Sequence, residues 1–343
     1  MAAIVTEFQG HARTCCHCGH VTHAAIPEAI RAYRIGPRLS AALSYLSGTL
    51  HASKRGIDDV VETFFGVPLS LGSVSNGEAE MSVALASSHA QAQQAVQQAA
   101  VKNVDETSWK QAGHKCWLWT AATSLVACFV IYPGRGAKGL AALLGEAIHG
   151  ILCSDRWSVY DRWPTRLRQV CWAHLKRDFQ KLLERGGASG EYGEKGLAAV
   201  HILFHWWHAY RGGGLSRQQL QAEVEPLRWA VMDWLGEGTS CVDSKTATFC
   251  ANLLALEPAL WTFLYEEGVE PTNNHGERVL RTGVLWRKNS FGCHSVEGCR
   301  FVERILTVVQ TLRLQERPVL DYLAEAVSAH RYGLPAPKLL PER

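Results

Sequence analysis

Asp105, Asp155 and Glu277 are three acidic residues whose surroundings suit metal chemistry better than surface charge. Asp105 lies in Asn103-Val104-Asp105-Glu106-Thr107, ahead of a long apolar stretch. Asp155 closes the run Ile151-Leu152-Cys153-Ser154 and is followed at once by Arg156-Trp157. Glu277 follows Pro271-Thr272-Asn273-Asn274, which reads as a helix start. Two carboxylates at strand ends and one on a helix can converge on Mg²⁺ (or Mn²⁺), which takes hard oxygen ligands and keeps positions open for water and phosphate. Two such ions about 3.5–4 Å apart activate the attacking oxygen and stabilise the leaving one in phosphodiester chemistry. Singly, each acid has a plainer reading, since an Asp at a strand end is usually a turn or cap residue. Glu106 is the neighbour most easily confused with Asp105, but strand alternation sends it to the other face. Asp161 and Asp178 compete with Asp155, yet neither follows a buried strand.

The elements that must position these acids can be read from the pattern. Val101–Thr107, Cys116–Thr123 and Val126–Tyr132 are short segments rich in β-formers, expected as three successive strands. Ala137–His149 has helical periodicity, Ile151–Ser154 is a buried fourth strand, and Val170–Cys171 opens a fifth before a helix over His174–Glu184. This is the order expected of an α/β ribonuclease-H-like core, with the first part at 101–185. Residues 186–270 are helical stretches punctuated by glycines and full of large side chains, expected as an all-helical insertion. Their Trp206, Trp207, Trp229 and Trp234 sit at a spacing that favours packing over base stacking. Residues 271–343 return to the core, with Glu277 on a helix and two further helices over Val296–Leu314 and Pro318–Val327.

Upstream, residues 29–100 are helical, and the candidates at 56–66 and 74–81 have the outline of a helix-turn-helix or of any helical hairpin. Six Lys/Arg against one acid in residues 11–56 tilt that choice towards DNA. Residues 1–28 form a partial zinc-knuckle-like segment. Cys15-x-x-Cys18 followed by Gly19 is half of a tetrahedral Zn²⁺ site, to which His20 and His23 could add only within a cramped loop. The alternative there is an exposed terminal segment without metal.

Bulk properties narrow the classes. Hydrophobic residues at 47% and charged residues at 20% describe a globular chain, and a net charge of +3 requires any basic surface to be local. Eight Lys/Arg fall in residues 156–185 and six in 274–304, around the acids. Among them Arg156, Arg278, Arg281, Arg287 and Lys288 are candidate DNA-binding residues. The last two lie in Trp286-Arg287-Lys288-Asn289-Ser290-Phe291-Gly292, read as a basic loop flanked by aromatics. No export signal is recognisable. The uncharged stretch Cys116–Gly134 reads as two strands and a turn rather than a membrane span, given its central Thr120, Thr123 and Ser124.

The motifs Val104-Asp105-Glu106-Thr107, Trp117-Leu118-Trp119, Ser154-Asp155-Arg156-Trp157, Cys171-Trp172-Ala173-His174, Glu270-Pro271-Thr272-Asn273-Asn274 with Glu277-Arg278, and Trp286 to Gly292 resemble, in order, the DDE transposases of bacterial insertion sequences. The "sixty-six" family, encoded beside two small accessory proteins, is the nearest in pattern. The resemblance implies that Asp105, Asp155 and Glu277 are a catalytic, Mg²⁺-binding triad. It also implies double-stranded DNA (element ends and target) as partner, accessory transposition proteins, a homo-oligomer on DNA, no membrane, and a cytoplasmic, nucleoid-associated location. Cys171-x-x-His174 matches a Cys/Asp-x-x-His motif of insertion-bearing transposases, and reads as a Zn²⁺ half-site, an active-site brace or packing. Family members usually begin with a zinc module of two Cys pairs. Cys15-x-x-Cys18 matches only the second, so the chain reads as N-terminally shortened. Two rival functions remain: a nuclease on the same core without strand transfer, and a non-catalytic DNA-binding remnant.

Overall fold

The computed structural model describes residues 4–340, so the outermost three residues of both expected terminal segments lie outside the described residues. A small antiparallel hairpin, β1 (Ala12–Thr14) and β2 (Val21–His23), comes first. Five helices follow: α1 (Glu28–Arg31), α2 (Pro37–Gly48), α3 (Lys54–Phe65), α4 (Leu71–Ala84) and α5 (Ala86–Gln98). Gly66 closes α3 in the left-handed region, as its position after an amphipathic run demands. The next stretch is β3 (Val101–Gln111), β4 (His114–Ala122), β5 (Ala127–Tyr132), α6 (Ala137–Leu144), β6 (Ile151–Ser154), two single 3₁₀ turns and β7 (Arg168–Val170). A helical run then spans α7 (Trp172–Arg185), α8 (Gly187–Arg211), α9 (Arg217–Gly238), α10 (Ser244–Ala255), α11 (Glu257–Leu260) and α12 (Thr262–Tyr265). The chain ends with α13 (Asn274–Ser290), α14 (Val296–Leu314) and α15 (Val319–Tyr332).

The five strands from β3 onwards form one mixed sheet in the order β5-β4-β3-β6-β7. The β3–β4 and β4–β5 pairs are antiparallel, while β3–β6 and β6–β7 are parallel. The first strand is longer than its composition suggested. Ala112 and Gly113 both take positive φ (48° and 80°) and close a two-residue hairpin turn, which carries the pairing out to Gln111↔His114. Asp105 therefore lies inside a strand rather than at its end.

Parallel register decides whether two acids meet. β3 pairs with β6 through Val101↔Ile151, Lys102↔Leu152 and Asn103↔Cys153. Continued by two residues, that register sets Asp105 level with Asp155. Backbone contacts fix it from below. Ile151 N–H donates to the Ala100 carbonyl at 2.7 Å, and Gly150 has φ 61° with no room for a Cβ, which would lie 2.4 Å from the Ala99 and Ala100 oxygens. Lys102 is buried and donates to the carbonyls of Gln97 and His149, at 2.9 and 2.7 Å, tying together the segments that lead into both strands.

The outer edge of the sheet is capped by a helix. Glu303, Thr307 and Thr311 recur every four residues on α14 and accept from the N–H groups of Ile131, Phe129 and Ala127, which recur every two on β5. Four helical residues rise about 6 Å, close to the advance of two strand residues, so the side chains match the ladder. An edge strand is thereby closed to foreign pairing.

Two large buried clusters result. One joins β3–β5 to α5, α6 and α13–α15. The other is built almost wholly from α7–α12, with Ile151, Cys153 and Val170 from the parallel edge of the sheet. Trp207 and Trp234 pack inside it while Trp229 is exposed. Near the N-terminus α4 contains no Lys or Arg, and its Glu78 and Glu80 bond to Lys54 and Arg331. The acids of that helix are thus paired with basic groups of neighbouring segments.

Candidate active site

Asp105 projects from the middle of β3, Asp155 stands directly after β6, and Glu277 is in the first turn of α13. Each local fold has a cause. Asp155 is held by the Trp157 N–H, which donates to its Oδ1 at 2.9 Å as the chain turns away from the strand. Asp105 Oδ1 accepts from the Glu106 N–H at 2.8 Å. α13 is placed against the sheet by Asn273, its N-cap. Instead of capping the helix, the Asn273 amide donates to the Val104 carbonyl at 2.8 Å and accepts from Asn103 at 2.9 Å. The helix then crosses the sheet on two glycines. A Cβ at Gly276 would lie 3.2 Å from the Asn103 Cβ, and one at Gly283 would lie 2.3 Å from Leu118 Cδ2.

The three carboxylates share one electrostatic environment. Burial, with the Glu106 charge and then those of Glu277 and Asp155, pushes the Asp105 carboxyl up to about 7. Neither Asp105 nor Asp155 has an ion-pair partner among the described residues, whereas Glu277 Oε1 lies 3.4 Å from His174 Nδ1 and 3.7 Å from Arg177. The three carboxylates feel one another's charge, but among the described residues they do not come within 4.8 Å of one another as a set, as Cys171, His174 and Glu277 do.

The competing acids are already engaged. Asp161 takes Arg168 at 2.7 Å, and Asp178 takes Arg156 at 2.9 Å and Lys181 at 3.1 Å. Glu106 has different partners from Asp105, accepting from Tyr160 at 2.6 Å and from Arg135 at 2.8 Å. Arg135 in turn lies 4.1 Å over the ring of Trp157, which stacks on Trp119. Beside this wall a cleft of about 740 Å³ is lined by Asp155, Arg156, Trp157, Arg168 and His174, among others.

A family model described as "Transposase IS66 family" matches residues 33–300. The chain belongs to that family. It is also 28% identical over 248 residues to "Uncharacterized protein y4qI" of Sinorhizobium fredii (strain NBRC 101917 / NGR234), a match covering 66% of this chain and 46% of that protein. The chain thus spans about half the length of the curated relative it matches.

In this IS66-family chain the candidate DNA-binding residues divide. Arg278, Arg281 and Lys288 are exposed along one face of α13, opposite the buried Val279, Leu280, Gly283 and Trp286, and have no ion-pair partner among the described residues. Arg287 instead donates to Ser108 Oγ, and Arg156 is held by Asp178 and stacked on Phe249. The segment Trp286 to Gly292, read as a basic loop, is the last turn of α13 with its cap. Helical hydrogen bonding runs on to Ser290 because Phe291 takes the left-handed cap conformation (φ 59°). Gly292 then fits where a Cβ would stand 2.1 Å from the Lys110 carbonyl oxygen.

The sulfur-bearing motifs also separate. Cys15 and Cys18 sit in the exposed turn of the β1–β2 hairpin, where Gly19 has φ 69° and donates to the Cys15 carbonyl at 2.9 Å. Backbone N–H groups of Cys18 and His17 draw the Cys15 thiol below its usual range. His20 and His23 do not gather with this pair into a three-ligand group; among the described residues the one such group is Cys171, His174 and Glu277. Sequence reasoning missed Asn273 and Arg177, since nothing in a single sequence says which polar side chains a helix start will turn towards a strand.

Proposed function

We propose that this IS66-family chain cleaves a phosphodiester at the end of a mobile DNA element and joins the freed 3′-OH to target DNA. The observation that carries the reading is the shared environment of Asp105, Asp155 and Glu277, drawn from three distant points of the chain. The sheet order and the strand-borne acids support a ribonuclease-H-like core interrupted by the helical run α7–α12. Asp105, Asp155 and Glu277 would hold Mg²⁺ or Mn²⁺, which when bound supplies Lewis-acid activation of the attacking oxygen and stabilisation of the leaving one. The chain's own part is to fix these donors: the β3–β6 register sets the two aspartates level, and Asn273 anchors the helix that brings Glu277. Arg278, Arg281 and Lys288 would bind phosphates of double-stranded DNA, orienting the duplex without reading its sequence. Cys15 and Cys18 would supply half of a tetrahedral Zn²⁺ set. Oligomerisation on DNA and accessory partners belong to the same reading.

An oligonucleotide end-joining assay tests it. Wild-type protein with Mg²⁺ is expected to nick a duplex carrying the element end and to join that end to a second duplex. Nicking without joining would leave a nuclease on this core, and neither reaction would leave a DNA-binding remnant.

A further inference from the structure

We propose that Cys171, His174 and Glu277 form a Zn²⁺ site on the flank of the carboxylate cluster. The site stands on its own geometry, while its consequence for Glu277 rests on the catalytic reading above. One sulfur, one imidazole nitrogen and one carboxylate oxygen from these residues lie within 4.8 Å of one another. His174 Nδ1 and Glu277 Oε1 are 3.4 Å apart, both are buried, and neither has a hydrogen-bond partner among the described residues. Two polar atoms buried face to face without a hydrogen bond are costly. They are also spaced as ligands: metal–N and metal–O bonds of about 2.0–2.1 Å in a tetrahedron put such atoms about 3.4 Å apart.

The sulfur is placed by the same two helix starts. Cys171 is the N-cap of α7, where the helix start presents its free N–H groups, and the Asn273 N–H donates to its Sγ at 3.1 Å. His174 follows three residues on, on the same side of the first turn. The two helix starts are joined directly, since the Trp172 N–H donates to the Pro271 carbonyl at 2.9 Å. A thiolate, imidazole and carboxylate set selects Zn²⁺ over Mg²⁺, which avoids sulfur, and three protein ligands leave one position open. Zn²⁺ bound through one oxygen of Glu277 fixes that carboxylate in a single orientation and leaves the second oxygen to the hard-metal cluster. The Cys15/Cys18 pair lies on the N-terminal hairpin and is a separate matter.

The test is a Co²⁺ titration of the full chain without DNA, in a Cys15→Ser/Cys18→Ser background that removes the other cysteine pair. The parent is expected to bind one Co²⁺ with a thiolate-to-cobalt charge-transfer band that Zn²⁺ displaces. Adding Cys171→Ser abolishes the band, and adding His174→Ala weakens binding at least tenfold. A parent without the band, or an unchanged band in Cys171→Ser, overturns the site. Should Cys171→Ser not fold, His174→Ala decides by itself, and unaltered affinity there overturns it. Mg²⁺-dependent nicking does not enter this measurement, so a Co²⁺ band without nicking refutes only the catalytic reading, and nicking without the band refutes only the Zn²⁺ site.

Discussion

At the scale of single residues, Asp105 carries the sharpest consequence. Its carboxyl ionises near 7 in the folded chain against about 3.9 when unfolded, because it is buried beside three other carboxylates. A carboxyl with a raised folded value favours folding only while protonated; the advantage is lost as pH rises towards 7, and above that the buried charge weighs against the fold. Metal-free Asp105→Asn is therefore expected to melt several degrees above metal-free wild type at pH 8, with the gap falling to roughly a third by pH 5. Thermal unfolding in EDTA at the two pH values checks this, and equal melting at pH 8 would remove Asp105 from the charged cluster. All three acids drew attention in the sequence because each stood beside a distinctive local pattern. The neighbours that shape them did not. Asp161 and Asp178 are set aside because neither follows a buried strand, and their ion pairs with Arg168 and Arg156 have no mark in the sequence.

At the scale of elements, α13 is the part that completes the site, and glycine lets it approach the sheet. Gly283 sits over Leu118, which is fully buried in β4. Gly283→Val is expected to cost about 1–3 kcal/mol through overpacking, and to reduce nicking by shifting Glu277 while all three acids remain. The loss should be partly recovered by Leu118→Ala in a double-mutant cycle of melting temperatures. Strictly additive effects would mean that the helix does not rest on this contact. Strand existence and order were readable from composition, since β-formers clustered in short runs. Lengths were less so: the turn at Ala112-Gly113 carries no strong turn dipeptide, so β3 seemed to end at Thr107. The end of α13 was misread for a related reason. A helix C-terminus capped by Phe291 in the left-handed region looks like a loop when only its charges and aromatics are counted.

At the scale of the whole molecule, charge and topology act together. Net charge is only +3, so affinity for a polyanion must come from where cations are placed. Arg278, Arg281 and Lys288 form a stripe on the exposed face of the helix that bears Glu277. Replacing all three by Ala is expected to lower the slope of log affinity against log salt by about 2–3, roughly 0.9 for each lost phosphate contact. A slope equal to wild type in fluorescence anisotropy would place the DNA elsewhere. The long separation between Asp155 and Glu277 is filled by α7–α12, which build a buried cluster of their own and meet the sheet at its parallel edge. From glycine punctuation and large apolar residues the sequence leads to the expectation of a helical insertion over 186–270, without α7. Its seat against β6 and β7 could not be read, because packing between distant segments leaves no local periodic mark.

The central claim is that acids from β3, the end of β6 and α13 act as one metal-dependent site. The most direct measurement is Mg²⁺-dependent nicking of an element-end duplex by wild-type and Asp155→Asn protein, with melting curves to show that both are folded. Wild type is expected to nick, and Asp155→Asn to fall by a factor on the order of 10² or more, as loss of about 3 kcal/mol of transition-state stabilisation requires. Equal nicking by the two proteins would contradict the account.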